Sequence, residues 1–255
     1  MGRESGLRAA ADPVKTTKLI AGFAVALLSA LSAQAQVAFQ NLNFEQANPV
    51  IDPNGPEYPL DVTAASALPG WTAYVGDVQQ TDVILDAYSL GEADVEIFGP
   101  GWNNVNPGVI DGNYSVLLRS GFLNDGTPEN VSIAQFGAVQ PAVQSLEFKA
   151  WSVYSTANFS VSFAGNTLSP VVLSSGSTAS GQDYNVYGVN MVPYEGQSGQ
   201  FEFTALFNQG INPGNIELDD ITFSTNTVSP EPSIVALTAS GGLLFGARKR
   251  FAHRG

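Results

Sequence analysis

The sequence predicts an all-β body, an antiparallel β-sandwich of jelly-roll type, on three observations. Apolar and polar residues alternate strictly over Leu146-Glu147-Phe148-Lys149-Ala150, Phe159-Ser160-Val161-Ser162-Phe163 and Phe201-Glu202-Phe203-Thr204-Ala205, the period-two pattern of strands with one face on a core. No stretch of the body sustains a helical period for three turns. Clusters of Gly, Pro, Asn and Ser separate about a dozen short runs at near-regular spacing, which suits a sandwich and not a repeat array. With 255 residues, 44% of them apolar and 13% charged, the chain can bury a core.

The first element is an address. Residues 19–31 are apolar, follow Lys15 and Lys18, and precede Ala33-Gln34-Ala35, the small-x-small pattern of a signal-peptidase site. Residues 1–35 therefore read as a signal peptide. Glu4 and Asp12 make its basic region irregular, whereas a start at Val14 gives the compact Val-Lys-Thr-Thr-Lys, so translation is expected to begin there. The β-sandwich domain is expected over 36–227, with strands at 37–45, 71–75, 83–87, 95–98, 115–119, 131–136, 146–150, 159–163, 168–173, 183–191, 201–205 and 216–224. Gly165-Asn166 should join 159–163 and 168–173 as a tight hairpin, since both residue types tolerate positive φ. Leu218 and Ile221 are three apart, so burying both requires a bulge at Asp219-Asp220.

Charge and composition exclude several functions. Residues 1–35 carry net charge +2 and residues 230–255 carry +3, but 36–229 hold 20 acidic side chains against Arg119 and Lys149, a net of −18. Such a body cannot neutralise phosphates, which excludes nucleic acid as a partner. The chain has no Cys and a single His, His253 near its end. Thiolate and Ser-His-Asp chemistry and zinc sites are set aside.

The last element is a second address. Pro230-Glu231-Pro232 precedes an apolar stretch, an expected helix over 233–247, and then Arg248-Lys249-Arg250. That helix would be about 22 Å long, short of the roughly 30 Å hydrocarbon layer. The basic end would stay in the cytoplasm with the body outside. Segment 228–255 resembles the PEP-CTERM sorting signal of Gram-negative bacteria. The resemblance implies processing by exosortase, a membrane transpeptidase, and transient residence in the inner membrane through the helix. It also implies delivery to the cell surface or the extracellular matrix, in association with exopolysaccharide and biofilm.

Within the body, Asn41-Leu42-Asn43-Phe44-Glu45 opens the domain, Leu68-Pro69-Gly70-Trp71 follows, and Ile216-Glu217-Leu218-Asp219-Asp220-Ile221-Thr222-Phe223 closes it. This arrangement resembles the jelly-roll carbohydrate-binding modules and galactose-binding-like domains of secreted bacterial proteins. The resemblance implies a structural Ca²⁺ held by Glu45 with Asp219 or Asp220, a chemistry consistent with the oxygen ligands that Ca²⁺ prefers.

Flat rings with neighbouring amides suit a sugar, whose C–H face packs on the ring. Trp71, after Pro69-Gly70, is assigned to the core. Trp102 lies in the loop Gly99-Pro100-Gly101-Trp102-Asn103-Asn104, and with Asn103, Asn104 and Tyr74 forms the expected contact site. The resulting expectation is an exported, surface-sorted, non-catalytic protein that binds a neutral polysaccharide or matrix glycan. Two alternatives are a secreted glycoside hydrolase or polysaccharide lyase, which needs two facing carboxylates from a stretch such as Asp82, Asp86, Glu92, Asp94 and Glu96, and a purely structural surface or matrix component.

Overall fold

The alternating segments pair as strands, and their apolar faces meet. In chain order the strands are β1 (Asp61–Thr63), β2 (Thr72–Val75), β3 (Val78–Gln79), β4 (Asp82–Leu85), β5 (Asp94–Phe98) and β6 (Ser115–Arg119). A small ribbon, β7 (Gly121–Phe122) with β8 (Pro128–Glu129), follows, and then β9 (Val131–Ala138) and β10 (Ser145–Ser152). The chain continues with β11 (Phe159–Phe163), β12 (Asn166–Thr167), β13 (Val171–Ser177), β14 (Asp183–Asn190), β15 (Ser198–Ala205) and β16 (Asn215–Ser224). One sheet has the order β1-β4-β5-β6-β16-β10-β14-β13, and the other β12-β11-β15-β9-β2-β3. Pairing is antiparallel except between β4 and β5, where Ile84 faces Glu96 in a parallel register.

This computed structural model describes residues 37–87, 92–102, 105, 107–152, 159–208 and 214–228. All of them belong to the compact unit Val37–Gly255. The signal segment 1–35, Asn103, Asn104, Pro230, Glu231, Pro232, Arg248, Lys249, Arg250 and the expected helix 233–247 lie outside the described residues. Among the described residues no helix is long and apolar enough to cross a membrane.

The two sheets form a sandwich around a core of rings. Leu146, Phe148 and Ala150 from β10 meet Phe201, Phe203 and Ala205 from β15, all buried. Phe148 stands edge-on to Phe203 at 5.0 Å and stacks on Tyr187 at 5.3 Å. Trp71 is buried, as its place after Gly70 suggested, and its indole N–H donates to the Asn41 carbonyl at 3.0 Å. Buried indoles need such a partner, because an unpaired buried donor keeps its full desolvation cost.

Two expected elements differ. Residues 37–45 do not form a strand. Asn41 (φ 48°) and Phe44 (φ 57°) adopt left-handed backbone, which ends extended pairing, and the fully buried Phe44 plugs the sandwich end. The segment instead spans the two sheets: Val37 accepts from Ala138 N on β9, and Leu42 accepts from Ile221 N on β16. The hairpin after β11 turns one residue early, at Ala164-Gly165, both at positive φ, and β12 is only two residues long. The chain then crosses to the other sheet, where 171–177 form β13.

The bulge is where burial of Leu218 and Ile221 demanded it. Glu147 faces Thr222 but Lys149 faces Asp219, so Asp220 and Ile221 together oppose Phe148, with Asp220 at φ 47°. Asp219 is nevertheless only 1% exposed, while Asp220 stays at the surface.

Candidate functional site

On β5, β6 and β16 the residues Val95, Ile97, Val116, Leu118, Ile216 and Leu218 enter the main core, so their alternates face outward. Those alternates include Glu96, Arg119, Glu217 and Asp219, yet each is no more than 1% exposed. The loop after β5 reaches Asp219 directly through Asp111, and Glu217 through Gly108 and Gln182. Phe98, Val109 and Leu117 form a second small core beneath it, capped by Trp102, whose ring stacks on Phe98 at 5.0 Å and 6°.

Polar contacts fasten this cover. Gly108 N donates to Gln182 Oε1 at 2.8 Å, and Gln182 Nε2 donates to Glu217 Oε2 at 2.5 Å. Asp111 N and the Ser115 hydroxyl donate to Asp219 Oδ2 at 2.9 and 2.7 Å. Register places Glu96, Leu117, Glu217 and Trp151 in one row across four strands. The backbones of Glu96 and Glu217 are thus two strand spacings apart, about 10 Å. Burial pushes Glu217 well above the ordinary carboxylate range, and the charges of Asp219 and Glu96 add to the shift. Asp219 is pushed up to about 7, mainly by burial, against the hydrogen bonds it accepts.

The expected calcium ligands are near one another but committed elsewhere. Glu45 Oε1 accepts from Asn113 N at 2.7 Å and Tyr114 N at 3.1 Å, while Oε2 accepts from Asn113 Nδ2 at 2.8 Å. Asp219 holds Asp111 and Ser115 of the same loop. Asp220 pairs with Lys149 Nζ at 3.1 Å, and Asp111 pairs with the same ammonium. The cation of this cluster is Lys149, and the carboxylate oxygens face N–H and O–H donors, so the set does not fit a calcium ion. Among the described residues no group of three or more His, Cys, Asp or Glu is arranged to hold a metal.

The expected glycan contacts are also redistributed. Trp102 closes the second core on the outer face of the eight-stranded sheet. Tyr74 alternates with the buried Ala73 on β2 and so lies on the outer face of the other sheet. The two rings are on opposite sides of the sandwich and share no site. Trp102→Ala should therefore lower stability by about 2 kcal/mol, since it removes a stacked ring from a covered cluster. A fall in melting temperature of several degrees is the expected reading, and an unchanged midpoint would overturn the placement.

The acidic stretch of β4 and β5 is likewise structural in its contacts. Asp94 and Glu96 both pair with Arg119 Nη2, at 2.7 and 2.6 Å. Asp86 accepts from Gly99 N at 2.7 Å, which anchors the start of the cover loop. Both basic side chains of the body, Arg119 and Lys149, are engaged by acids.

A cleft of about 540 Å³ opens where β10, β13 and β14 run past the core, lined chiefly by Ser152, Ser175, Ser177, Asp183, Asn185 and Tyr187. Register puts Ser175, Asn185 and Ala150 on the face shared with the buried Phe148 and Tyr187. The Ser175 hydroxyl donates to Asn185 Oδ1 at 2.7 Å, the Ser177 hydroxyl to Asp183 Oδ1 at 2.6 Å, and Asn185 Nδ2 to the Tyr187 hydroxyl at 3.4 Å. Each serine proton is thus turned toward its neighbour, which leaves oxygen lone pairs for incoming hydroxyl donors. None of these residues is among the glycan contacts expected from the sequence. The alternation Ser175-x-Ser177 opposite Asp183-x-Asn185 was the available signal.

No protein-family model and no curated protein matches the sequence. Among solved structures, the chain is similar to a cyclase from Fischerella sp. TAU, at 15% identity over 73% of this chain and 94% of the other, with TM-score 0.41. It is also similar to the enzymatically active domain of tailspike protein 4 of bacteriophage CBA120, at 17% identity over 61% of this chain and 19% of the other, TM-score 0.33. A third likeness is to the xyloglucanase domain of NopAA, a type three effector from Sinorhizobium fredii, at 10% identity over 56% and 93% of the two chains, TM-score 0.26. Similarities this distant carry no argument about activity.

Proposed function

We propose that this is an exported, surface-sorted and non-catalytic protein whose jelly-roll body binds a neutral matrix polysaccharide in the cleft between β10, β13 and β14. The two end segments support the route, a signal peptide at 1–35 and a PEP-CTERM-like segment at 228–255 that would engage an exosortase. The observation that carries the binding reading is the cleft lining, in which hydroxyl, amide and carboxylate groups orient one another around an opening of about 540 Å³. A neutral chain is favoured because a body of net charge −18 repels anionic polymers.

An open cleft with a few hydrogen bonds leaves little surplus over the cost of immobilising a sugar, so dissociation constants on the order of 10 µM to 1 mM are expected. Calorimetry against neutral and anionic polysaccharide fragments tests this. Asn185→Ala should weaken binding about tenfold, the value of one or two lost hydrogen bonds. Its melting temperature should barely move, because Asn185 is not buried in the core. Absence of binding to every neutral glycan, or binding that Asn185→Ala leaves intact, would overturn the cleft assignment.

A further inference from the structure

The charges of this body avoid one side of it. From Ala150 to Gln182 there is no Asp, Glu, Lys, Arg or His, although the segment sits inside a body of net charge −18. That uncharged stretch supplies β11, β12 and β13, which are the last strands at one side of the two sheets. β13 is the long edge there, seven residues of sequence Val-Val-Leu-Ser-Ser-Gly-Ser, with Val171 and Val172 41% and 42% exposed.

The opposite edge of the same sheet is guarded. Residues 50–52 cover β1, with Asp52 N donating to the Asp61 carbonyl and Thr63 N to the Val50 carbonyl, both at 2.9 Å. Pro53, Glu57 and Asp61 follow on that side. Strand edges present unpaired N–H and C=O groups, and proteins normally blunt them with charge, proline or a covering segment. On β13 the blunting among the described residues is a single bulge between Val172 and Ser174, which leaves residues 174–177 as a straight run.

We propose that β13 is a self-association edge: two copies of the chain pair antiparallel along it and extend the eight-stranded sheet across a two-fold axis. The occupant is a second copy because the edge strand is uncharged and self-complementary, and because two bodies of net charge −18 repel least where their charge-poor sides meet, Asp183 beside Ser177 being a carboxylate at that side. Four residues of backbone pairing with two valines a side make a small interface, so the dimer is weak, with a dissociation constant on the order of 10–100 µM. Self-association uses the backbone edge of β13 and glycan binding its side chains, so the two proposals are tested separately and either can fail without the other.

The test is sedimentation velocity on the full chain in a mild non-ionic detergent, which keeps the apolar stretch 234–247 from contributing contacts. The protein should pass from monomer to dimer between about 1 and 200 µM. Raising NaCl from about 0.05 to 0.5 M should favour the dimer, because salt screens the repulsion between the bodies and the edge strand carries no charge whose pairing salt could weaken. Ser174→Lys and Val172→Lys should abolish the dimer, with melting curves close to those of the unaltered chain, while Val78→Lys on the edge strand β3 should leave it intact. A nitroxide on Ser175→Cys should report an inter-label distance below about 20 Å in the dimer, as expected for strands about 4.8 Å apart. A monomer at every concentration and salt level, or a dimer that survives both lysine variants, would overturn the proposal.

Discussion

Replacing Glu217 with Gln is expected to raise the melting temperature at pH 8 by several degrees and to leave it almost unchanged at pH 4.5. Glu217 is fully buried, one oxygen accepts from Gln182, and Oε1 has no hydrogen-bond partner among the described residues. Its surroundings make the sign clear. Glu96 and Asp219 face it from neighbouring positions, Asp94 and Arg119 lie along the same outer face, and Asp111, Lys149 and Asp220 bound the cluster on the far side of Asp219. Burial raises both Glu217 and Asp219, so near neutrality the folded state holds protons that the unfolded chain releases. Stability must then fall as pH rises from the unfolded carboxylate value near 4 through the folded value, which is about 7 for Asp219. For Asp219 alone, moving from 3.8 to about 7 corresponds to on the order of 4 kcal/mol of stability present at low pH and lost above neutrality.

At the acid end the sign reverses for Asp111, which Lys149 holds below its ordinary value and which therefore loses stability as pH falls. Maximum stability is expected at about pH 4–5. The amide introduced by Glu217→Gln keeps the acceptor for Gln182 and removes the charge that has to be buried at high pH, so the variant should show a flatter curve. A melting series from pH 4 to 9 decides the matter. A parent protein that gains stability across that range, or a Glu217→Gln variant that melts lower at pH 8, would contradict the account.

The same strand shows what was legible in the sequence and what was not. Period-two alternation located β10, β11, β15 and β16, because a sheet with one face on a core writes its pattern directly into the chain. The spacing of Leu218 and Ile221 located the bulge, since a strand can bury residues three apart only by inserting one. The same alternation sets Glu217 on the face opposite Ile216 and Leu218. It could not show that this face is covered, because the cover is a loop separated from β16 by about a hundred positions. A local signal existed in that loop: Trp102, Val105, Val109 and Ile110 are more apolar than a solvated connection requires. The segment 37–45 was misread for a related reason. Its alternation is real, but Asn41 and Phe44 take left-handed backbone to fit the space between the sheets, and that space belongs to the tertiary structure. The loop pattern demands no burial of Trp102, and its half-buried position comes from Phe98, a stacking partner that only the folded sheet aligns with it.

Arg119→Met should be the most costly of these substitutions, at about 3–5 kcal/mol, because it removes the cation from the fully buried Glu96 and the partly buried Asp94. Arg119 is 1% exposed, its Nη2 lies 2.6 Å from Glu96 and 2.7 Å from Asp94, and its Nε donates to the other oxygen of Asp94 at 3.3 Å. Methionine fills a similar volume, so the loss reports charge more than packing. Arg119→Lys should recover little, since one ammonium cannot reproduce the forked contact with Asp94 while reaching Glu96. The cause can be separated from mere disruption of the strand. If the carboxylate of Glu96, left without its guanidinium, is responsible, adding Glu96→Gln to Arg119→Met should restore at least about 1 kcal/mol. Chemical denaturation of the single and double variants measures the effect. A deficit unmoved by the second substitution would mean that Arg119 acts by shape alone.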